Sequence, residues 1–346
     1  MIAQDYRSLM QRVHPYPLPC ADFNPLSAPN RKLAEYGLLE KPNERLEPQR
    51  YAFWQEMFGG KINLVRPQFP EELTRELREL LLTCPTKSPS PRAAFDHTED
   101  SQNWSGAYIT PMPRPNRFVH VIGGWTVPRP AVPEVLPEGA DASNQEYHSS
   151  TWIGIGGHRS YNTLPQIGTS QSVKVVGGVN RIEYSAWWQW WNKADPFSHV
   201  PQVIPDFEVA AGDGILASLS VEAPSPGDVH FIIMNLRTRM LVPFKVRAPS
   251  GILPLGSTAE WIHERPARPG SQYRYPLPHC TEVVFRYCLA WNAPDFGTPT
   301  ELQVLQRNVR LIRMCEAFPT PHRSALVSRP SRTSPTDLHI VYREAR

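Results

Sequence analysis

Two glutamates and one glutamine in this sequence have the side chains of an acid–base site. Glu260 and Glu264 lie four residues apart in the run 257–264, which has the composition of a β-strand, so both carboxyl groups point to one face of a sheet. In a regular strand their Cα atoms are about 13 Å apart, so these carboxyl groups cannot act as one close pair. A partner for Glu264 must therefore come from a neighbouring strand, and Gln166 is the candidate.

A carboxyl group and an amide can together hydrolyse a peptide bond with water as the nucleophile. Without a metal ion or an activated Ser, Cys or Thr, the reaction needs a base that takes a proton from water and a group that stabilises the oxyanion. A carboxylate can act as the base and, once protonated, can deliver the proton to the leaving amine. An amide NH₂ can donate to the oxyanion while its oxygen helps to hold the water. Glu264 and Gln166 have these chemical types.

The aromatic run 184–191 is a second functional signal. In a strand its residues divide between two faces, and aromatic side chains occur on both. One face is expected to fill a core and the other to form the floor of a binding groove, because the tryptophans exceed what one side of a sandwich needs. The first face carries Tyr184, Ala186, Trp188 and Trp190, and the second carries Ser185, Trp187, Gln189 and Trp191.

Short blocks of this sequence resemble, in order, those of the eqolisin family of glutamic peptidases. Several blocks in the right order are much harder to obtain by accident than one motif. The resemblance covers residues 101–345, strongly to about residue 291 and more loosely after it. The blocks are 103–107, 125–128, 150–157, 164–168, 184–191, 211–213, 257–264, 284–288 and 337–342.

The resemblance implies a fold, a reaction and individual roles. The fold is an all-β, antiparallel β-sandwich of the concanavalin A-like (lectin-like) kind over residues 101–346. The reaction is that of a glutamic endopeptidase on a polypeptide substrate, with Glu264 as general base and then acid and Gln166 as oxyanion stabiliser. No cofactor or metal ion is implied. We expect the pair to face an open groove whose substrate contacts include Trp152, Trp187, Gln189 and Glu260.

Two positions depart from the family pattern. Gly156 stands where the family has an aspartate, and Gln189 stands where its aromatic strand has an acidic residue. Because neighbouring carboxyl groups raise one another's pKa, their loss predicts a pH optimum nearer neutral, or lost activity. Two alternatives stay open. One is a non-catalytic binding module whose Trp-rich cleft stacks on sugar rings or an extended peptide, and the other is a latent enzyme with residues 1–100 over the cleft.

The remainder of residues 101–346 has the pattern of short strands joined by long loops. The 38 prolines favour this arrangement over a helical bundle. A helical spacing of Leu302, Leu305, Val309 and Ile312 conflicts with the strands that the resemblance implies there, and both readings stay open. The runs that predict an antiparallel sandwich or barrel are 117–122, 173–176, 215–221, 229–234 and 241–246.

Residues 1–100 predict a mixed, partly helical N-terminal extension. Leucines at helical spacing predict an amphipathic helix over 70–84, and the spacing of Tyr51, Trp54, Met57 and Phe58 predicts another that ends at Gly59-Gly60. The segment could be a removable, propeptide-like region or a folded extension packed on the sandwich. Its apolar faces and the lack of an export signal favour the extension.

Composition bounds the partners and the location. A net charge of +3 without a dense basic block argues against a nucleic-acid partner, and no apolar run reaches the roughly 18 residues of a membrane span. The N-terminus lacks a secretory pattern, which predicts a cytoplasmic location by default with free thiols, although the family is typically secreted. Five cysteines without a CxxC pair predict no metal site, and a Cys280–Cys288 bond stays open. We expect a monomer.

Overall fold

The structure is a computed structural model that describes most of the chain. The described residues are 8–69, 98–134, 144–158, 162–221, 227–248, 252–267, 274–299, 301–306, 308–317 and 324–343.

Strands dominate the described residues because β-branched and aromatic side chains are concentrated in short runs separated by Pro and Gly. The described residues include two α-helices, α1 (Asn30–Glu35) and α2 (Pro48–Phe58). The strands are β1 (Val13–Pro15), β2 (Asn63–Leu64), β3 (Thr98–Ser101), β4 (Trp104–Ile109), β5 (Arg117–Thr126), β6 (Pro130–Ala131), β7 (Asn144–Ile155), β8 (Thr163–Val176), β9 (Val179–Asn192), β10 (Gln202–Val203), β11 (Gly214–Val221), β12 (Asp228–Asn235), β13 (Met240–Arg247), β14 (Ala259–Glu264), β15 (His279–Cys280), β16 (Val283–Ala293), β17 (Glu301–Val304), β18 (Val309–Ala317), β19 (Ser324–Arg332) and β20 (Leu338–Tyr342).

The strands form two layers of antiparallel sheet. In the front layer, β9, β8, β7, β14, β4 and β18 pair in that order. In the back layer, β16, β5, β11, β12 and β13 pair in that order, with β1 beside β13. Strands β19 and β20 link β18 to β16, so hydrogen bonding passes from one layer to the other. The predicted all-β sandwich is confirmed.

The main core lies between the layers, and side-chain alternation decides which residues enter it. Trp188 and Trp190 of β9 pack inward against the back layer, where Trp188 contacts Phe231 and Phe244. Trp187 and Trp191 belong to a separate cluster on the outer face of the front layer. The two-faced pattern predicted for the aromatic run is therefore present, since successive strand residues point to opposite faces.

The helical part of the N-terminal extension packs on the outer face of the back layer. Helix α2 buries Phe53, Trp54, Met57 and Phe58 against back-layer side chains such as Ile232. The predicted helix at 51–58 is confirmed, and it ends where the N–H of Gly59 bonds the carbonyl of Gln55. The helix predicted over 70–84 lies outside the described residues.

The structure answers two questions that the sequence left open, the conformation of 302–312 and the state of the cysteines. The helical spacing at 302–312 does not give a helix, because β17 pairs with β16 and β18 pairs with β4, and these long-range bonds override local periodicity. Cys280 and Cys288 are free and buried, as is Cys315, and Cys20 is free and exposed.

No helix in the described residues is long and apolar enough to cross a membrane.

Candidate active site

Four strands of the front layer place three of the candidate residues, Glu260, Gln166 and Gln189, in one row. Glu260 of β14 pairs with Gly154 of β7, which pairs with Gln166 of β8, which pairs with Gln189 of β9. Directly paired residues of antiparallel strands share a face, so these side chains lie on the outer face of the front layer. This face also carries Trp152, which is opposite Gly168.

Glu264 lies four residues along β14 from Glu260, in a second row on the same face. Its row partner on β7 is Ser150, which pairs with Ser170 of β8. Register alone therefore brings Glu260, rather than Glu264, level with Gln166. Glu264 lies further along β14 because four residues of a regular strand span about 13 Å.

The carboxyl group of Glu264 is buried and hydrogen bonded at both oxygens. Trp152 Nε1 donates to Oε2 at 2.8 Å, and Asn103 Nδ2 donates to Oε1 at 3.3 Å. Burial raises the pKa of Glu264 to about 7, and the donors oppose that rise because they favour the ionised form. Glu264 is therefore a carboxyl group that changes its charge near neutral pH.

The carboxyl group of Glu260 is fully buried and is held at one oxygen. Its Oε1 accepts from the Thr258 hydroxyl and from the backbone N–H groups of Gly157 and His158, at 3.0 and 3.2 Å for the amides. Burial raises the pKa of Glu260 to about 7 against these donors. Oε2 has no hydrogen-bond partner within the described residues.

The amide of Gln166 is oriented by a neighbouring amide. Gln166 Nε2 donates to Gln189 Oε1 at 2.7 Å, and Gln189 Nε2 donates to the backbone carbonyl of Ser198 at 2.8 Å. Gln166 Oε1 is buried and has no partner among the described residues. Gln166 and Gln189 are 2% and 1% exposed.

A cluster of buried aromatic side chains lines the outer face. The Trp104 and Trp152 rings meet edge to face at 5.2 Å. Gly168, which pairs with Trp152, lets β7 and β8 pack closely here, because a Cβ at this position would lie 2.5 Å from the Cβ of Trp152. The cluster comprises Trp104, Tyr108, Trp152, Leu164, Trp187, Trp191, Ile262 and Ile312.

The expectation of an open groove over the pair is wrong for this structure. Glu264 is 6% exposed and Trp187 is 5% exposed, and Trp152 is fully buried. The 3-10 turn Pro196–His199 contributes to this burial, since its Ser198 bonds Gln189 and its His199 ring stacks on Trp191. Sequence periodicity places a side chain on a face but carries no information on what packs over that face.

A polar cluster that the sequence did not reveal borders Glu260. Tyr108, which pairs with Glu260 across β4, donates to Glu99 Oε1 at 2.5 Å, and the other oxygen of Glu99 lies 2.8 Å from His158 Nε2. Glu99 lies in residues 1–100, the segment predicted to be an N-terminal extension. Only the pairing of β3 with β18 brings Glu99 to this face.

No group of three or more His, Cys, Asp or Glu side chains suited to a metal ion occurs in the described ranges.

Gly156, where the family has an aspartate, follows β7 with φ of +89°, and its N–H donates to the carbonyl of Thr258.

Comparison with known proteins identifies the family. The model of the Peptidase A4 family matches residues 102–306. The crystal structure of scytalido-glutamic peptidase with a transition state analog inhibitor is similar in fold, with 19% identity, 70% of this chain and 98% of that chain covered, and a TM-score of 0.50. Aspergilloglutamic peptidase from Aspergillus niger is matched at 19% identity over 57% of this chain and 99% of that chain, with a TM-score of 0.41. No curated protein sequence matches the chain.

Proposed function

Because the chain belongs to the Peptidase A4 family and is a peptidase, we propose that it is a glutamic endopeptidase in which Glu264 is the general base and Gln166 stabilises the oxyanion. The observation that carries the proposal is the presence, on one buried face of the front layer, of a carboxyl group with a pKa of about 7 and an amide with a free oxygen.

The environment of Glu264 suits a group that first accepts and later returns a proton. A catalytic group works best when its pKa is near the working pH, because both protonation states are then accessible. Burial raises the pKa of Glu264 to about 7, while Trp152 and Asn103 still stabilise its ionised form. The same carboxyl group can thus be charged before the reaction and neutral within it.

The orientation of Gln166 suits the second role. One N–H of its amide is bonded to Gln189, which leaves the other N–H and Oε1 for the reacting groups. The N–H can donate to the oxyanion, and Oε1 can accept from the attacking water.

The reaction then balances with these two side chains and water. Glu264 takes a proton from water as the water oxygen bonds to the scissile carbonyl carbon, and the carbonyl electron pair moves to the oxygen, where Gln166 donates. When the C–N bond breaks, the proton held by Glu264 passes to the leaving nitrogen. The products are a carboxylic acid and an amine, and Glu264 is again ionised.

Burial of the site limits what can bind there. A sugar ring that stacks on Trp152 or Trp187 needs an exposed ring face, and these residues are 0% and 5% exposed, which disfavours the carbohydrate-binding alternative. A polypeptide likewise reaches Gln166 only after residues that cover the face move aside. The described residues 8–69 pack mainly on the back layer, so they are not the main cover of this site.

The test is cleavage of a denatured protein by the full chain from pH 2 to pH 8. We expect Glu264→Gln to lower kcat by roughly 10³-fold and Gln166→Ala by about 10²-fold, because one removes the base and the other an oxyanion donor. Glu301→Gln, which neutralises an exposed carboxylate of β17, is the matched control and should cleave as the wild type does. Absence of cleavage by the wild type at every pH would sink the proposal.

Glu260 is the alternative base, because register places it level with Gln166. Two observations favour Glu264 instead. A Cβ on the intervening Gly154 would lie 2.8 Å from Leu164 Cδ1 and 3.0 Å from Trp152 Cζ3, so side chains already occupy the space between Glu260 and Gln166. Trp152, an aromatic side chain of the outer face, also donates to Glu264, whereas the donors to Glu260 are the Thr258 hydroxyl and two backbone N–H groups. A Glu260→Gln variant that keeps activity supports Glu264, whereas loss in Glu260→Gln with activity kept in Glu264→Gln reverses the assignment.

A further inference from the structure

We propose that Gln189 is a positioning residue that fixes which atoms of the Gln166 amide face the reacting groups, and that it does so at any pH because it carries no ionisable group. The inference rests on the proposed role of Gln166. It differs from the substrate contact that family resemblance implies for Gln189, since both polar atoms of this side chain are bonded within the protein.

One backbone carbonyl determines the orientation of two amides. The oxygen of Ser198 can only accept, so Gln189 must present its Nε2 to it and its Oε1 to Gln166. Gln166 must then present Nε2 to Gln189, which leaves its Oε1 on the other side. A flip of either amide would set two oxygens or two NH₂ groups against each other, and a buried mismatch of that kind costs about 1–3 kcal/mol.

The carbonyl that sets this orientation is itself held in place. The N–H of Asn192 donates to Ser198 Oγ at 2.7 Å, and Ser198 Oγ bonds the carbonyl of Asp195 at 2.6 Å. His199 bonds the carbonyl of Asn192 and stacks on Trp191. The turn Pro196–His199 is therefore anchored to the end of β9, the strand that carries Gln189.

An acidic residue at 189 would satisfy this chain of bonds only while protonated. A neutral carboxyl group can donate its O–H to Ser198 and accept from Gln166, as the amide does. A carboxylate has no donor and would face the Ser198 carbonyl with a buried charge. The charged or titratable groups near Gln189 along the chain or in its row include Lys193, Asp195 with its partner Arg12, His199 and Glu260. Lys174, Arg181 and Glu183 lie towards the far end of the β8–β9 pair. The bonds of Gln189 go to none of these groups.

Gln189→Glu tests the inference, with kcat measured from pH 4 to pH 8 beside the wild type and Gln166→Ala. At the acidic end the protonated variant is expected to keep near wild-type activity. As pH rises, kcat should fall relative to the wild type by about 10²-fold, the loss of one oriented oxyanion donor, while KM changes little.

Gln202→Glu is the matched control. Gln202 is a buried amide on the adjacent β10, and its Nε2 also bonds a backbone carbonyl, that of Val200, without contacting Gln166. Both variants should lose thermal stability relative to the wild type as pH rises through the pKa of the new carboxyl group, since each is bonded in its neutral form. Only Gln189→Glu should also lose kcat with pH, which separates positioning from general destabilisation.

The outcomes distinguish failure of the positioning role of Gln189 from failure of the proposed function. A Gln189→Glu variant whose kcat follows the wild type at every pH overturns the positioning role, even if Gln166→Ala is inactive. Full activity in Gln166→Ala overturns the proposed function itself. The melting measurement needs no activity, so a melting temperature of Gln189→Glu that stays parallel to the wild type across the pH range also contradicts the bonded arrangement.

Discussion

The indole of Trp152 and the carboxyl group of Glu264 form a hydrogen bond that ties the aromatic lining directly to the proposed base. Trp152 Nε1 lies 2.8 Å from Glu264 Oε2, and both residues are on the outer face of adjacent strands. An indole N–H can only donate, so this bond stabilises the ionised carboxylate. Trp152 thereby acts on the charge of the base as well as on packing.

Replacing Trp152 by Phe should shift the pH dependence of catalysis upward. The loss of the N–H removes a donor that favours the ionised form, so the pKa of Glu264 should rise above about 7. Because the base must be ionised, the acid limb of kcat/KM should move to higher pH. Trp187→Phe is the matched control, since Trp187 Nε1 lies in the same cluster and has no hydrogen-bond partner among the described residues. An unmoved limb in Trp152→Phe would argue against Glu264 as base.

Glu264→Gln should become more stable than the wild type as pH rises. The folded pKa of Glu264 is raised from 4.5 to about 7, so the wild type loses stability as pH increases between these values. The glutamine stays neutral and escapes that loss, which amounts to roughly 3 kcal/mol once pH exceeds the folded pKa. Urea unfolding at pH 4 and pH 8 measures the difference, with Glu301→Gln as control. A stability difference that does not change with pH contradicts the raised pKa.

We propose that the described part of the N-terminal extension remains in the working protein. Trp54 of α2 is 1% exposed, and its Nε1 donates to the carbonyl of Leu39 at 3.0 Å. Arg239 and Arg286 of the back layer bond the helix through Met57 and Glu56. Removal of this segment would therefore expose the apolar outer face of the back layer.

Trp54→Ala tests this proposal. The variant should lose about 3–5 kcal/mol of unfolding free energy, the usual cost of truncating a buried tryptophan, as measured in the active protein. Leu46→Ala, at a position that is 80% exposed, should change it by less than about 0.5 kcal/mol. Active protein that has shed residues 8–65 and melts at the same temperature would show that the segment is dispensable.

Restoring the family aspartate at Gly156 should destabilise the protein. Gly156 has φ of +89°, where side chains are disfavoured, and a Cβ would lie 3.2 Å from the backbone N of Gly256. We expect Gly156→Asp to cost about 1–2 kcal/mol of unfolding free energy. Gly227→Asp is the control, because no described atom lies within 4 Å of its Cβ position. Equal melting temperatures for the two variants would show that the turn at Gly156 accommodates a side chain.

Much of the architecture was predictable because strand alternation is a local property. The runs at 117–122, 173–176, 215–221, 229–234 and 241–246 are all strands, and α2 ends at the predicted glycine pair. The same rule divides the aromatic run between the core and the outer face. At 302–312 the sequence left a helix and strands both open, and pairing with β16 and β4 decided for strands.

The family resemblance, the all-β class and the face to which Gln166, Glu260 and Glu264 point could all be predicted from the residues, since they depend on residue type and on a period of two along a strand. Strand pairing and packing were needed to show that Glu260 is level with Gln166, how the Gln189 amide meets that of Gln166, and that the face is buried. Register, amide orientation and burial depend on residues far apart in the chain. No local pattern can encode them, because each is set by contacts that exist only once the strands have paired and the layers have packed.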